Sequence, residues 1–227
     1  MMYFSRAMLR SDCSGNVMFF DSVRSTYAVH QMVWGFFHGQ PEEERKFLYR
    51  FETKNHEPVV YIVSEEKPID VRGVWSVLSK MYDPVISNGE QLGFSVRVNP
   101  VVTRIERDTT GNVVRHSRHD VVMDEKIRCR REGTPFVYAE KVQEVGKHWL
   151  ATRAKKSGFH VDGSTVLVSG YEKQVFERQR GKEVVISTME LSGVLEVCDP
   201  DLFRYMLFHG LGPAKGFGCG LMMVRRV

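Results

Sequence analysis

The stretch Gly210-Leu-Gly-Pro-Ala-Lys-Gly-Phe-Gly-Cys-Gly220 places five glycines within eleven residues of a 227-residue chain. Glycine adopts positive φ freely and lets a second backbone approach closely, although ordering it costs entropy. Two interpretations are open. The stretch is either a tight turn that leads into a buried final strand, or a cradle for an anion whose negative charge Lys215 would neutralise. The stretch is neither a P-loop nor a dinucleotide fingerprint, because Gly-Lys-Ser/Thr is absent and the apolar run after Gly220 has the composition of a strand.

The elements around this loop follow the order of a ferredoxin-like module, β-α-β-β-α-β. Periodic apolar residues predict a helix over 138–157, which Gly158 ends. A short helix is expected to begin at Asp199, with Pro200 at its first position, and to run to Phe208. The other predictions are strands over 92–105, 165–171, 184–197 and 221–224, with a basic loop that turns at 110–112 before the long helix.

The first half of the chain shows the same order of elements. The predicted elements are a strand over 2–9, a helix over 27–37, a hairpin of 47–51 and 59–63, a weaker helix over 71–81 and a strand over 92–102. The fold class is therefore α+β, with two tandem ferredoxin-like (RRM-like) domains at 1–91 and 92–227. Trp34, Trp75 and Trp149 are expected in the core rather than stacked on bases.

Composition and charge narrow the class of partner. With 42% hydrophobic and 26% charged residues, the chain has an ordinary globular composition, and no apolar stretch nears the ~20 residues of a membrane span. Its four cysteines are scattered singly, so reduced thiols in a cytoplasmic protein are expected, without a zinc or redox motif. Residues 100–160 hold 13 Lys and Arg against 8 Asp and Glu, a difference of +5. This cluster predicts a polyanionic partner, and a solvated basic face is the alternative.

Four segments resemble the CasE family, the type I-E CRISPR endoribonucleases that cut precursor CRISPR RNA within the Cascade complex. They are the strand at 2–9, the helical run Tyr27-Ala-Val-His30-Gln-Met-Val-Trp34, the tetrapeptide Arg97-Val-Asn-Pro100 and the glycine-rich stretch at 210–221. Residues 103–138 match no motif. The resemblance implies two ferredoxin-like domains, CRISPR repeat RNA and other Cascade subunits as partners, and no cofactor, metal or membrane. It also implies cleavage at the 3′ base of the repeat stem-loop by the upstream 2′-OH, with 2′,3′-cyclic phosphate and 5′-OH ends and retention of the hairpin.

The resemblance selects His30 from the eight histidines as a catalytic residue. Histidine suits proton transfer because its unperturbed pKa of about 6.5 lies near working pH. Tyr27 lies three residues earlier on the same predicted helix face, where its phenol could contact the phosphate or orient the imidazole. Whether His30 acts as acid or base is open, and a partly exposed helix surface is the alternative for the pair.

The remaining site predictions concern RNA binding. Lys215 and the loop glycines are expected to hold phosphate oxygens while the first helix does the cutting, and a solvated turn is the alternative. The arginines of the basic segment are expected to contact the RNA stem, each with a solvated loop residue as its alternative. These residues are Gly210, Gly212, Lys215, Gly216 and Gly218 in the loop, and Arg104, Arg107, Arg115, Arg118, Arg128, Arg130 and Arg131 in the basic segment.

Two other function classes compete with the endoribonuclease. A non-catalytic RNA-binding scaffold of a CRISPR ribonucleoprotein would share the fold but would not need Tyr27 and His30. A metal-dependent nuclease would need clustered carboxylates. The acidic runs at 42–44 and 65–66 are consecutive residues and are better interpreted as solvated faces.

Overall fold

The computed structural model describes residues 1–10, 26–37, 45–178 and 182–227, so the acidic run at 42–44 lies outside the described residues. The described part is α+β, with two antiparallel sheets and a separate hairpin. In chain order the elements are β1 Tyr3–Leu9, α1 Thr26–Trp34, β2 Phe47–Lys54, β3 Glu57–Ser64, β4 Trp75–Met81, β5 Gln91–Val98, β6 Val101–Arg107, β7 Val113–Asp120, α2 Val121–Glu132, α3 Tyr138–Ala154, β8 Phe159–Val161, β9 Leu167–Arg178, β10 Lys182–Val197, α4 Pro200–His209 and β11 Met222–Arg226.

The first sheet has the strand order β2-β3-β1-β4, with the first and third strands in the middle as in a ferredoxin-like module. β2 and β3 form the predicted hairpin, whose two turn residues, Asn55 and His56, have φ of 51° and 65°. Such left-handed turns match the twist of paired strands. Helix α1 covers one face of the sheet and buries Val29 and Val33 against Trp75.

The second sheet repeats this order as β11-β5-β10-β8, and β9 also pairs with β10. β8 lies against the last three residues of β10 and β9 against the rest, so together they fill the place of a second strand. The core of this sheet contains Trp149 of α3 and Phe203 of α4. The two tandem ferredoxin-like folds are as predicted, and the boundary between residues 91 and 92 stays a prediction.

Two predicted elements of the first half are wrong. The weaker helix over 71–81 is strand β4 at Trp75–Met81, which pairs with β1 along its whole length. Buried and exposed side chains alternate from Trp75 to Lys80 with period two, and that alternation favours a strand once β1 offers a free edge. The strand predicted over 92–102 as the fourth strand of the first module is β5 of the second sheet and ends at Val98.

The segment predicted as a basic loop is ordered structure. β6 and β7 pair as a hairpin around the turn expected at 110–112, where Asp108 Oδ1 accepts hydrogen bonds from the Thr110 and Asn112 backbone N–H groups, each at 2.9 Å. Helix α2 follows at once, with Asp120 as its N-cap and Gly133 in the left-handed region at its end. The prediction missed α2 because its sequence is highly charged and has little apolar periodicity.

The two helices predicted in the second half are confirmed. α3 continues into a 3₁₀ turn at Lys155–Ser157, and Gly158 ends it with φ of 74°. Asp199 caps α4 by accepting from the N–H groups of Asp201 and Leu202, and Pro200 is its first residue. The three tryptophans are buried, as expected. None of the helices in the described ranges is long and apolar enough to cross a membrane.

The two sheets meet through a small apolar cluster and an ionic network. Leu48 of β2 and Val63 of β3 pack against Leu221, which directly precedes β11. Beside them, Glu190 of β10 accepts from Arg50 of β2 at 3.1 Å and from Arg97 of β5 at 2.6 Å. This junction fixes the glycine-rich loop against the first sheet.

Candidate active site

His30 lies on α1 with its imidazole enclosed by groups from three parts of the chain. Trp34, one helical turn later, donates its indole N–H to His30 Nε2 at 3.1 Å. Because an indole N–H can only donate, Nε2 carries the lone pair, and the proton of the neutral ring is on Nδ1. Burial is the largest effect on the pKa of His30 and lowers it. A hydrogen bond with the Gly216 backbone raises the pKa, the nearby Arg45 charge lowers it, and the net shift is downward. Neutral imidazole is therefore the main form at pH 7.

The glycine-rich loop forms the opposite wall of this site. Its 3₁₀ turn at Lys215–Phe217 stacks the Phe217 ring on the His30 ring, with centroids 6.1 Å apart. A Cβ on Gly216 would lie 3.6 Å from His30 Cε1, so the loop backbone reaches the imidazole. Tyr49 of β2 donates its hydroxyl to the Gly216 carbonyl at 2.9 Å. The loop and the helix, although distant in sequence, are in direct contact, and their division into holding and cutting roles stays a prediction.

Two of the loop glycines are explained by backbone geometry. Gly212 has φ of 76°, and a Cβ there would lie 2.9 Å from Trp149 Cη2. Gly218 also has φ of 76°, with Tyr49 Cε2 only 3.2 Å from its Cβ position. These contacts favour the tight-turn interpretation at both positions. That Gly210, Gly212, Gly216 and Gly218 also contact RNA stays a prediction.

Two cations lie near this contact, one in the 3₁₀ turn and one before β2. Lys215 begins the 3₁₀ turn, and burial followed by the Arg45 charge lowers its pKa. Arg45 lies just before β2 with its guanidinium carbon 5.7 Å from the Phe47 ring centroid, and burial lowers its pKa too. The site therefore gathers positive charge around one titratable ring, which suits a negatively charged ligand.

Tyr27 lies on α1, one turn before His30, as the motif requires. Its side chain lies outside the described residues, so its catalytic role stays a prediction. No group of three or more His, Cys, Asp or Glu side chains in the described ranges is arranged to hold a metal ion.

The basic segment lies away from this site, on the β6–β7 hairpin and α2, and its seven arginines are exposed. Three of them already have partners within the chain: Arg104 pairs with Asp124 at 2.6 Å, Arg107 donates to the Gly111 carbonyl at 2.8 Å, and Arg128 binds Glu125 with two hydrogen bonds. The register of the hairpin places Arg115 opposite Glu106 and Arg118 opposite Thr103. The hairpin arginines therefore lie on both of its faces, and their RNA contacts stay predictions.

Sequence reasoning missed three residues of the site. Trp34 was assigned only to the core, although its spacing of four from His30 already places the two on one helix face. Tyr49 comes from the next strand and Arg45 from just before it, and both reach the site through the tertiary fold. Nothing in their local sequence indicates it.

Fold and site together define the class: an α+β protein of two tandem ferredoxin-like modules, with a histidine-centred cationic site between the first helix and a C-terminal glycine loop. The chain belongs to the CRISPR associated protein family, whose model matches residues 2–226. This family match and the two curated relatives described next confirm the predicted membership of the CasE family.

Two curated relatives match most of the chain. One is the CRISPR system Cascade subunit CasE of Escherichia coli, 24% identical over 88% of this chain and 91% of its own length. The other is the CRISPR-associated endoribonuclease Cse3 of Thermus thermophilus, 26% identical over 81% of each chain.

Two solved structures share the fold over nearly the whole length. Thermus thermophilus Cse3 bound to an RNA representing a pre-cleavage complex aligns with a TM-score of 0.67 and 24% identity, over 99% of this chain and 98% of that one. Cas6e from Escherichia coli aligns with a TM-score of 0.62 and 24% identity, over 99% and 100%. The similarity extends across both sheets.

Proposed function

We propose that the protein is a metal-independent endoribonuclease that cleaves CRISPR repeat RNA at the 3′ base of its stem-loop. The observation that carries the proposal is the enclosed, neutral His30 at the contact between α1 and a cationic glycine loop. A family that contains a named CRISPR endoribonuclease and a named Cascade subunit supports the substrate class.

The chemistry follows from the groups that border His30. A neutral imidazole can accept the proton of the 2′-OH at Nε2 once the Trp34 indole N–H releases that lone pair. The 2′-oxygen attacks the adjacent phosphorus as the bond from phosphorus to the 5′ oxygen breaks. The products are a 2′,3′-cyclic phosphate and a 5′-OH, whose oxygen takes its proton from water, and His30 then returns the proton it accepted to the solvent. Lys215 lies where its charge can offset the negative charge that grows on the phosphate oxygens. The lowered pKa supports the base role for His30 rather than the acid role.

Retention of the product within Cascade is the second part of the proposal. The exposed arginines of the β6–β7 hairpin and α2 give the protein a basic surface apart from the site, which suits the phosphates of an RNA stem. RNA-bound Cse3 and the Cascade subunit name of CasE support an assembly role for this chain as well. A cytoplasmic location is part of the same proposal.

Single-turnover cleavage of the host repeat RNA in EDTA tests the proposal, with product ends mapped. We expect His30→Ala to lower the rate by several orders of magnitude, at the upper end of what general base catalysis contributes (about 10²–10⁴). The affinity of His30→Ala for the RNA hairpin should stay near that of the wild type. His160→Ala, an exposed histidine of β8, is the matched control and should cleave normally.

Each other outcome has a distinct meaning. Full cleavage by His30→Ala would exclude His30 as the catalytic group. Loss of cleavage only when EDTA is present would point to a metal-dependent nuclease. Tight hairpin binding by a wild-type protein that never cleaves would support the scaffold alternative.

A further inference from the structure

Arg45 has an unusual environment for an arginine. Its Nη1 is buried and has no hydrogen-bond partner among the described residues, while the guanidinium carbon lies 5.7 Å from the Phe47 ring centroid. Phe47 in turn packs edge-to-face on Trp34, at 5.0 Å between centroids, and Trp34 holds His30. A buried charged donor without an acceptor is costly, and a ligand that accepts a hydrogen bond from Arg45 Nη1 would remove that cost.

Arg45 lies in a cluster of positive charge. The Arg45 charge lowers the pKa of both His30 and Lys215, which places the three groups close together. In the described ranges no carboxylate pairs with Arg45 or Lys215. Glu190, which lies at the sheet junction, is already bound by Arg50 and Arg97. Two neighbouring, half-buried cations repel each other, and a bound anion would replace that repulsion with attraction.

We propose that Arg45 is a further catalytic residue, which binds a non-bridging oxygen of the scissile phosphate opposite Lys215. This inference rests on the proposed function and adds to it a second cation. A guanidinium offers a planar pair of donors that matches phosphate oxygens, whereas the Lys215 ammonium acts as a point charge. Charge grows on these oxygens as the 2′-oxygen attacks, so a contact there stabilises the transition state more than bound RNA.

The first test compares Arg45→Ala and Arg45→Lys with wild type in single-turnover cleavage of the repeat hairpin. We expect Arg45→Ala to lose about 10²–10³ in rate, the range for removal of one preorganised donor. Arg45→Lys should keep part of the rate because the charge remains. Guanidinium ion in solution should restore part of the Arg45→Ala rate but none of the His30→Ala rate. Arg72→Ala, at an exposed arginine, is the matched control and should cleave normally.

The second test needs no cleavage. The pKa of His30 is measured by NMR while inorganic phosphate is added. In wild type, phosphate bound beside the ring should raise that pKa, since a nearby anion favours the imidazolium. In Arg45→Ala without phosphate the pKa should also lie above that of wild type, because one neighbouring cation is gone, and phosphate should change it little.

The two tests separate the two proposals. A wild-type protein that does not cut RNA would reject the proposed function, and the phosphate titration would still decide whether Arg45 forms an anion site. Wild-type cleavage by Arg45→Ala would overturn the inference. A rate loss without guanidinium rescue, together with a lower melting temperature, would overturn it as well, because Arg45 would then be structural.

Discussion

His30 shows how the fold can select one protonation state of an imidazole. The indole N–H of Trp34 binds the lone pair on Nε2, which favours the neutral ring, and burial disfavours the charged one. A hydrogen bond with the Gly216 backbone raises the pKa of His30, but this effect is smaller than the lowering by burial. The ring is therefore neutral at pH 7 more completely than a freely solvated histidine with a pKa near 6.5, and it accepts a proton at Nε2 when the indole gives up that lone pair.

This arrangement predicts the pH dependence of cleavage. With His30 as the base, the single-turnover rate should rise with pH through a midpoint below 6.5 and then level off, since only the neutral ring accepts the proton. Trp34→Phe removes the donor to Nε2 and should shift the midpoint to higher pH. Trp75→Phe, a change in the same apolar cluster, should leave the midpoint in place. A rate that instead falls as pH rises through the midpoint would assign His30 the acid role.

At the scale of elements, the β6–β7 hairpin and α2 carry two kinds of arginine. Some form ion pairs within the protein, and others are exposed and available to RNA. Arg128 and Lys141 bind the buried Glu125 and lower the pKa of its carboxyl to about 2, so Arg128 has a structural task. Arg118 lies on the hairpin, exposed, without an ion pair or hydrogen bond to any residue of the described ranges. The two positions form a matched pair for testing RNA contact.

Arg118→Gln should weaken binding of the repeat hairpin by about 3- to 10-fold and reduce the slope of log affinity against log salt by about 1, as expected for one lost phosphate contact. Arg128→Gln should reduce the slope less than Arg118→Gln does and should lower the melting temperature, because Arg128 is held by Glu125, which loses its main partner. Fluorescence anisotropy between 50 and 400 mM KCl measures the slope. An unchanged slope for Arg118→Gln would remove this residue from the RNA-binding surface.

The elements that the sequence predicts correctly are those with local signals. Gly158 ends α3 and Asp199 with Pro200 begins α4 through backbone geometry that neighbouring residues determine. The helix predicted over β4 is wrong because Val74, Trp75 and Leu78 have the spacing of one helix face, whereas the strand that pairs with β1 buries Trp75 and exposes Leu78. Likewise α2 is stabilised by its cap and by ion pairs to α3, which an apolar pattern does not reveal.

At the scale of the whole molecule, the site exists only because the two sheets are held in one arrangement. His30 and Arg45 come from the first half of the chain and Lys215 from the second, and no local pattern could place them together. The His30 motif could be recognised alone, but its neighbours required the tertiary fold. The junction that positions them is the network of Arg50, Glu190 and Arg97, with Arg97 also donating to the Phe51 carbonyl at 3.1 Å.

The same network reaches the glycine loop directly. The Arg97 carbonyl accepts the Gly220 N–H at 2.7 Å, so the end of the loop is tied to the strand that carries Arg97. Glu190→Gln keeps the shape of the side chain but leaves the buried Arg50 with Glu52 as its remaining carboxylate, and leaves Arg97 without a carboxylate among the described residues. Removing one partner of a buried ion pair costs 3–5 kcal/mol, and because Glu190 is partly exposed we expect about 2–3 kcal/mol of lost stability.

Loosening the junction should also slow cleavage. The loop that carries Lys215 belongs to the second sheet and His30 to the helix on the first sheet, so their relative position depends on how the two sheets are held. At a temperature where Glu190→Gln remains folded, we expect a single-turnover rate about tenfold below wild type, since small displacements of catalytic groups are costly. Glu144→Gln breaks an exposed pair with Lys141 and should cost less than about 0.5 kcal/mol with normal cleavage. Equal stability and rate for both variants would show that the apolar cluster around Leu48 and Leu221 holds the sheets together without the ionic network.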